Sequence, residues 1–233
     1  MAKQHIVVLT GAGISAESGL KTFRDNDGLW ENYNVYEVAT PEAYSKDREL
    51  VLRFYNQRRA QLTEVKPNAG HLALQKLEDK FKVSIITQNI DDLHERAGSS
   101  DIHHLHGELV KVQSTRNPNL VEHWGYHPVE IGDKAPDGSQ WRPHVVWFGE
   151  PVPGISKAAK ICQTADHLLV VGTSLAVYPA AGLVHEIAPG VNVTVVDPGE
   201  MEDSPIRGAN HIRKSAASAL PELIEKWLDR GMV

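Results

Sequence analysis

The chain has a single cysteine, Cys162, among its 233 residues. One thiol excludes an internal disulfide and any metal site that needs several cysteines. The residues around it, 160–165, have the pattern that is typical of the end of an amphipathic helix. We therefore expect Cys162 to be a buried structural thiol rather than a nucleophile.

Long apolar runs and long basic runs are also missing. No stretch approaches the roughly 20 apolar residues of a membrane span, and no secretory leader is visible. The first apolar run begins almost at Met1, so we expect no targeting extension. The formal net charge of −6 without Lys and Arg clusters argues against nucleic-acid binding. We expect a cytoplasmic monomer with no membrane partner and no direct nucleic-acid partner.

Apolar strand-like runs alternate with helical patterns along the chain. The predicted strands are 6–9, 83–87, 102–105, 144–147, 167–171 and 192–196, and the predicted helices include 48–62, 71–77, 154–163, 180–187 and 216–228. Thr40 followed by Pro41 predicts an N-cap and the first position of another helix. This alternation predicts an α/β fold with a parallel sheet that is covered by helices on both faces.

Insertions after the first and third strands predict a smaller second lobe of helical and irregular structure. We therefore predict one domain spanning residues 1–233. Its large Rossmann-like lobe would comprise about 1–30, 78–107 and 144–233, and its small lobe about 31–77 and 108–143. A ligand is expected in the crevice at the carboxyl ends of the parallel strands.

The stretch TGAGISAESGLKTFR, residues 10–24, has the composition of a strand–turn–helix junction. Gly11 and Gly13 permit a tight turn and a close backbone approach. Ser15 is predicted to cap a helix that starts at Ala16, with Glu17 in its first turn. Such a junction can bind the pyrophosphate of a nucleotide, although the same pattern also occurs as a plain connection. The polar, aromatic segment after it suits a flap that closes over a ligand.

Polar side chains follow several of the predicted strands. A shared nucleotide crevice explains why they recur. They are residues 11–15, Gln88, Asn89, Asp91, His106, Gly172, Thr173, Ser174 and Asp197. Taken alone, Asp197 fits either a ribose contact or the capping of a turn before Pro198. His106 alone fits a structural role better than a catalytic one, since the chain has twelve histidines.

Nearly the whole chain resembles the sirtuin family of NAD-dependent protein deacylases. The resemblance rests on the motifs GAGISAESGLKTFRDNDGLW, QNID, LHG, VWFGE and GTS. It implies nicotinamide release from NAD and transfer of the acyl group of a modified lysine to ADP-ribose. His106 would be the proton acceptor. The residues that would bind the cofactor are Gly11, Ala12, Gly13, Ser15, Phe23, Arg24, Trp30, Gln88, Asn89, Asp91, Gly172, Thr173, Ser174, Asp197 and Ala216.

The resemblance also implies where an acyl-lysine peptide binds. Val146, Phe148, Gly149 and Glu150 match the segment that pairs with the peptide backbone. Asp197 departs from the family, which more often has asparagine at this position.

Tyr55 and Arg58 are three residues apart on one face of a predicted helix. From spacing alone they fit an ordinary surface pair or a clamp for a carboxylate. Tyr-x-x-Arg, together with Ala39, resembles the sirtuin subgroup that removes succinyl, malonyl and glutaryl groups. We therefore expect acidic acyl groups as substrates, with deacetylation as a weaker activity.

The family's two Cys-x-x-Cys pairs, which form a structural zinc site, are absent. Ser114, Asn117, Lys134 and Asp137 occupy their places, so no tetrahedral thiolate site can form. Scattered loop residues such as His123, His127 and Asp133 rarely bind a metal. We expect no zinc and no other metal, and an apolar cluster of Trp124, Tyr126 and Trp141 in its place.

Other functions fit the same residues. The same pocket could support transfer of ADP-ribose to a protein, or simple NAD hydrolysis. The chain could also be a non-catalytic NAD-sensing module, or a nucleotide-dependent hydride-transfer enzyme.

Overall fold

The computed structural model describes residues 3–21, 29–30, 33–199, 206 and 208–230. Of residues 29 and 30, only the backbone is described. The predicted cofactor residues Phe23 and Arg24, and the side chain of Trp30, lie outside this part of the chain.

The described residues form eleven strands and eight α-helices. The strands are β1 (His5–Thr10), β2 (Leu29–Trp30), β3 (Tyr33–Asn34), β4 (Lys82–Thr87), β5 (Ile102–His104), β6 (Gly107–Ser114), β7 (Val121–His123), β8 (Trp141–Val145), β9 (His167–Val171), β10 (Asn192–Val196) and β11 (Asn210–Ile212). The helices are α1 (Gly13–Ala16), α2 (Val35–Val38), α3 (Pro41–Lys46), α4 (Arg48–Glu64), α5 (Ala69–Lys76), α6 (Leu93–Ala97), α7 (Ile155–Cys162) and α8 (Ala216–Arg230). Two 3-10 turns cover Leu77–Asp79 and Ala180–His185. Within the described ranges, no helix has both the length and the apolar character needed to cross a bilayer.

A parallel sheet of six strands has the order β11-β10-β9-β1-β4-β5. The chain first adds strands on one side of β1 and later on the other side. This reversal opens a crevice beyond the carboxyl ends of β1, β4 and β9, where ligands of such sheets bind. The predicted α/β fold with a parallel sheet is confirmed.

Both faces of this sheet are covered, because alternate side chains of a strand point in opposite directions. Ile6 and Val8 of β1 share one core with α5 and α8. Val7 and Leu9 share another core with Cys162 of α7. Cys162 is buried, and burial raises the pKa of its thiol to about 12. The prediction of a structural thiol is confirmed.

A second sheet is antiparallel, with the order β7-β6-β8. The sequence pattern does not predict it: residues 108–143 are expected to be irregular, and the strand at 144–147 is expected to belong to the parallel sheet. That strand is β8, which ends at Val145 and pairs with β6. Apolar and polar residues alternate in β6, and this pattern could have indicated a strand. Val110 and Val112 are buried, whereas Lys111 and Gln113 are half-buried.

Thr40 caps α3 by accepting the N–H of Ala43, as predicted.

A buried arginine connects helix α4 to this second sheet. Arg59 is completely buried and donates through Nε to the carbonyl of Leu109 in β6 at 2.9 Å. It also donates to Asn56 Oδ1 at 2.8 Å. Burial lowers the pKa of Arg59 to about 10.

Direct hydrogen bonds join the positions that correspond to the family's zinc-binding pairs. Ser114 Oγ donates to Asp137 Oδ2 at 2.6 Å and accepts the N–H of Asn117 at 2.9 Å. Ser139 donates to the second Asp137 oxygen at 2.7 Å. These hydrogen bonds lower the pKa of Asp137 to about 2. Lys134 is exposed, and its backbone forms a bridge to Gln140.

The aromatic cluster expected here forms only in part. The rings of Trp124 and Trp141 lie 6.3 Å apart, and Trp141 is buried. Tyr126 was wrongly included, because it is exposed and its hydroxyl bonds to Asp92. The polar cluster of Ser114, Asp137 and Ser139 was not foreseen, since its bonds depend on residues 23 and 25 positions apart.

Replacing Ser114 with alanine tests this polar cluster. Ser114 is buried, so Ser114→Ala removes the donor to Asp137 Oδ2 and the acceptor for the N–H of Asn117. This loss is expected to cost roughly 1–3 kcal/mol of unfolding free energy. Urea denaturation measures the change, with exposed Ser218→Ala in α8 as the matched control. A chelator is expected to leave the melting temperature unchanged. A chelator-induced drop, or equal stability of both variants, would contradict this account.

Candidate active site

The turn after β1 and the turn after β9 interlock through their backbones. We call residues 10–13 the glycine elbow. The N–H of Gly13 donates to the carbonyl of Gly172 at 2.8 Å. A Cβ on Gly13 would lie 2.7 Å from Gly172 Cα, and a Cβ on Gly172 would lie 2.3 Å from the nitrogen of Ile14. Gly172 also has φ +60, so only glycine fits both positions.

Ser15 has a different role from the predicted one. Helix α1 starts at Gly13, and its N-cap, Ala12, makes no side-chain capping bond. The prediction that Ser15 caps a helix starting at Ala16 is therefore wrong. Ser15 is buried, and its hydroxyl donates to Asp91 Oδ2 at 2.9 Å. Glu17 instead accepts the N–H of Ala217 in α8 at 2.9 Å.

The segment after β4 connects the elbow to the rest of the site. Gln88 Nε2 donates to Thr173 Oγ1 at 3.0 Å, which ties this segment to the turn after β9. Asn89 Nδ2 donates to Ser15 Oγ at 3.1 Å. Asp91 accepts from Ser15 and is buried among these groups, and burial raises its pKa to about 6. Together, Ser15, Asn89 and Asp91 form one hydrogen-bonded cluster.

His106 follows β5 and lies at the edge of the same segment. Its Nδ1 lies 2.9 Å from the carbonyl oxygen of Gln88. A carbonyl only accepts, so Nδ1 carries the proton and Nε2 keeps its lone pair. Burial lowers the pKa of His106 despite this hydrogen bond, so the neutral ring is favoured at pH 7. His106 is linked through Gln88 to Thr173, beside the glycine elbow.

Three predicted cofactor residues lie farther along the crevice. Ser174 is exposed, directly after Thr173. Asp197 is buried at the end of β10, where its Oδ1 accepts the N–H of Gly199 at 2.8 Å. The turn-capping role is thus present, and a ribose contact stays a prediction. Ala216 begins α8 and is buried beside Gly70.

The predicted peptide segment, residues 146–150, follows β8; we call it the peptide loop. The N–H of Val146 donates to the carbonyl of His106 at 2.9 Å, and the N–H of Phe148 donates to the carbonyl of Ala39 at 3.0 Å. Phe148 is exposed, and Gly149 has open space around its Cα. Glu150 accepts from both Arg142 nitrogens, at 2.7 and 3.1 Å, and therefore holds the loop in place.

Tyr55 and Arg58 differ in environment although they share one face of α4. Tyr55 is completely buried, and its hydroxyl accepts from Trp147 Nε1 at 3.1 Å. It is therefore no ordinary surface residue. Arg58 is half-buried, donates through Nε to Gln61 at 2.9 Å, and lies 4.8 Å from the centre of the Phe54 ring.

In the described part of the chain, one group of side chains has the spacing of a metal site: Glu95, His104 and Glu108. Their charges are already compensated. His104 Nε2 bonds to Glu95 at 2.8 Å, and Lys111 pairs with Glu108. These contacts do not favour a metal ion. Across the described residues, His123, His127 and Asp133 form no such group.

Two buried histidines lie beneath the elbow. His94 Nε2 lies 3.0 Å from Thr10 Oγ1, and His71 Nδ1 accepts the N–H of Asn68 at the start of α5. Their ring centres are 5.0 Å apart. Burial lowers the pKa of His71 to about 4, and burial together with neighbouring histidines lowers that of His94 well below its ordinary value.

These lowered pKa values predict acid destabilisation. Between the ordinary value of 6.5 and about 4, the unfolded chain binds the His71 proton and the folded chain does not. Stability is therefore full above pH 6.5 and falls as the pH decreases, by about 2 kcal/mol for this group between pH 7.5 and 5.

Urea denaturation at those two pH values measures this loss. His71→Gln keeps an acceptor at the third helical position but cannot titrate, so its stability should depend less on pH. The exposed His123→Gln is the control. Identical pH dependence in wild type and His71→Gln would contradict the assignment.

Comparisons with known proteins agree with this geometry. Residues 11–179 match the Sir2 family. The chain is 52% identical over 225 residues to the NAD-dependent protein deacylase of Bacteroides thetaiotaomicron, covering 94% of this chain and 96% of that protein. It is 49% identical over 226 residues to a deacylase of the same name from Helicobacter pylori, covering 97% and 98%.

Solved structures give the same result. A Sir2 homologue in complex with NAD superposes with a TM-score of 0.88 at 38% identity, covering 98% of this chain and 91% of that one. A Sir2 structure with a deacetylated p53 peptide has a TM-score of 0.79 at 30% identity, covering 98% and 94%. The chain belongs to the Sir2 family.

Proposed function

We propose that this chain is an NAD-dependent protein-lysine deacylase that prefers acidic acyl groups and releases nicotinamide and O-acyl-ADP-ribose. The observation that carries the proposal is the position of His106. Its tautomer is fixed by the Gln88 carbonyl, and Gln88 is bonded in turn to Thr173 beside the glycine elbow. Relatives named as NAD-dependent protein deacylases and a Sir2 homologue solved with NAD support it.

The residues around the elbow fit a dinucleotide. At Gly11, Gly13 and Gly172 a Cβ would collide with the facing turn, so only glycine lets the two turns meet at the carboxyl ends of β1 and β9. Beside them, Asn89 and Asp91 offer amide and carboxyl groups to the nicotinamide end. When bound, NAD supplies an electrophilic ribose carbon and a nicotinamide leaving group. The chain itself contributes orientation and the exclusion of water around that carbon.

His106 provides the proton acceptor. Its Nε2 lone pair makes no hydrogen bond to the described residues, so it can accept a proton from a ribose hydroxyl. The lowered pKa keeps the ring neutral at pH 7, which a general base requires. The Gln88 carbonyl then stabilises the Nδ1–H of the protonated ring.

The peptide loop is suited to an extended acyl-lysine peptide. Val146 and Phe148 use their N–H groups inside the protein, so the loop is fixed before the peptide binds. Gly149 has φ +91 and leaves room for an approaching backbone. We propose that the peptide adds to this segment as a further strand.

Replacing His106 tests the catalytic assignment. His106→Ala is expected to lower deacylation at least about 100-fold, the usual contribution of a general base, without abolishing NAD binding. The measurements are O-acyl-ADP-ribose formation by mass spectrometry and NAD affinity by calorimetry, with exposed His123→Ala as the control.

The products separate the alternatives. ADP-ribosyl-protein or free ADP-ribose without the acyl product would indicate transfer or hydrolysis. A wild type that binds NAD and forms no product would indicate a sensing module. Reduced nicotinamide without nicotinamide release would indicate hydride transfer. Full deacylation by His106→Ala would overturn the role of this residue.

The preference for acidic acyl groups rests on the environment of Arg58. Its guanidinium is half-buried and donates to the neutral amide of Gln61. A carboxylate forms a stronger, charge-assisted bond and can replace that partner. Tyr55 lies one turn away against Trp147, and the small side chain of Ala39 packs in the same core. We propose that these residues line the acyl pocket.

Replacing Arg58 tests this preference. Arg58→Met keeps much of the side-chain volume and removes the charge, so kcat/KM for a succinyl-lysine peptide should fall roughly tenfold or more. The matched acetyl-lysine peptide should be little affected. Arg53→Met, an exposed arginine on the same helix, is the control. Equal losses on both peptides, or no loss on either, would contradict the clamp.

A further inference from the structure

Two histidines separated by one residue bond to consecutive backbone carbonyls. His106 Nδ1 lies 2.9 Å from the oxygen of Gln88, and His104 Nδ1 lies 2.9 Å from the oxygen of Asn89. The proposed function uses only the first of these contacts. The second lies on the segment that carries Asn89 into the proposed nicotinamide pocket.

The second nitrogen of His104 also has an acceptor. Nε2 lies 2.8 Å from Glu95 Oε1 of α6, and the His104 side chain is only 7% exposed. A carbonyl and an ionised carboxylate both accept hydrogen bonds and cannot donate. Both contacts are satisfied together only when both ring nitrogens carry protons. The geometry therefore favours the imidazolium form.

Charged groups on neighbouring elements support that form. Burial lowers the pKa of His104, but the hydrogen bond and charge of Glu95 outweigh it, and Glu108 adds to them, so the pKa is raised. The charged and titratable groups that face His104 are Glu95, Glu108, Lys111, His144, Asp91 and His94. Lys111 is paired with Glu108, and burial lowers the pKa of His144 and His94. The carboxylates therefore determine the state of His104.

Anchoring the Asn89 carbonyl fixes the direction of its side chain. The N–H of Asn89 donates to Thr87 Oγ1 at 3.0 Å, and its carbonyl accepts from His104. With the peptide groups on both sides held, the backbone of Asn89 cannot rotate independently. Its amide is then directed at Ser15 Oγ, 3.1 Å away.

We propose that His104, held by Glu95, is a positioning residue that fixes Asn89 in the nicotinamide pocket. The proposal rests on the proposed function, because it assigns Asn89 to NAD. His104 and His106 then have opposite roles on one stretch of chain. His104 is a charged anchor with two acceptors, and His106 is a neutral base with one.

The experiment compares three variants by NAD calorimetry and by steady-state kinetics on an acyl-lysine peptide. His104→Phe keeps the ring shape and removes both donors, so the Kd and KM for NAD should rise roughly tenfold. His104→Arg keeps charge and donors and should recover part of that loss. His103→Phe, the neighbour that bonds to Gly154, is the control and should bind NAD normally.

The pH dependence gives a readout that a merely structural role would not change. Wild-type NAD affinity should weaken at alkaline pH as His104 loses its proton. In Glu95→Gln the bonded carboxylate charge is gone, so this weakening should move to lower pH. The loss of deacylation at acid pH, where His106 becomes protonated, should stay in place. Nitrogen-15 NMR of the His104 ring should show the same direction of change.

Three results would overturn the proposal: unchanged NAD affinity in His104→Phe, equal losses in His103→Phe, or an alkaline limb that Glu95→Gln does not move. If the proposed function is wrong but the role of His104 is right, a different result is expected. The wild type would then bind NAD, with the same effects of the His104 variants, and form no O-acyl-ADP-ribose.

Discussion

The site depends on a contact between two backbones that leaves no room for a side chain. Gly13 and Gly172 come from turns that follow different strands, yet the N–H of one bonds the carbonyl of the other at 2.8 Å. This contact holds the carboxyl ends of β1 and β9 side by side. Thr173 is thereby placed where Gln88 can reach it, and Gln88 in turn sets the tautomer of His106. The glycine contact thus determines where the proposed base lies.

Four strands of the parallel sheet, β1, β4, β9 and β10, could be predicted because they are mostly buried and read as continuous apolar runs. The more exposed edge strand β11 was not predicted. The runs at 167–171 and 192–196 match β9 and β10 in full. The predicted site residues that follow β1, β4 and β9 also lie close together, since Gly13 bonds to Gly172 and Gln88 bonds to Thr173. Bonds across long sequence distances could not be predicted. Ser15 looked like a helix cap, but its partner is Asp91, 76 residues away.

The antiparallel sheet shows a second limit of sequence reasoning. β6 alternates in the ordinary way, but its partners β7 and β8 are short or contain proline, and they are separated by polar loops. The sheet shares an apolar core with α4, and the Arg59 bond to the β6 backbone and the Ser114–Asp137 bond add to these contacts. Nothing in the sequence of α4 indicates that Arg59 is buried and bonds to the backbone of β6. His104 was likewise interpreted only as a strand residue, since nothing nearby in sequence identifies Glu95 as its partner.

His106 lies where the chain passes from the parallel sheet to the antiparallel one. Gly107, next to it, has φ +80, and a Cβ there would lie 2.1 Å from the carbonyl oxygen of His144. The carbonyl of His106 accepts from Val146, and its ring donates to Gln88. One residue therefore contacts the peptide loop through its backbone and the cofactor segment through its side chain. Because both contacts are hydrogen bonds within the protein, the ring cannot shift toward the peptide loop without disturbing the segment proposed to hold NAD. This coupling suits His106 to the proposed role of a base in a reaction that joins the two substrates.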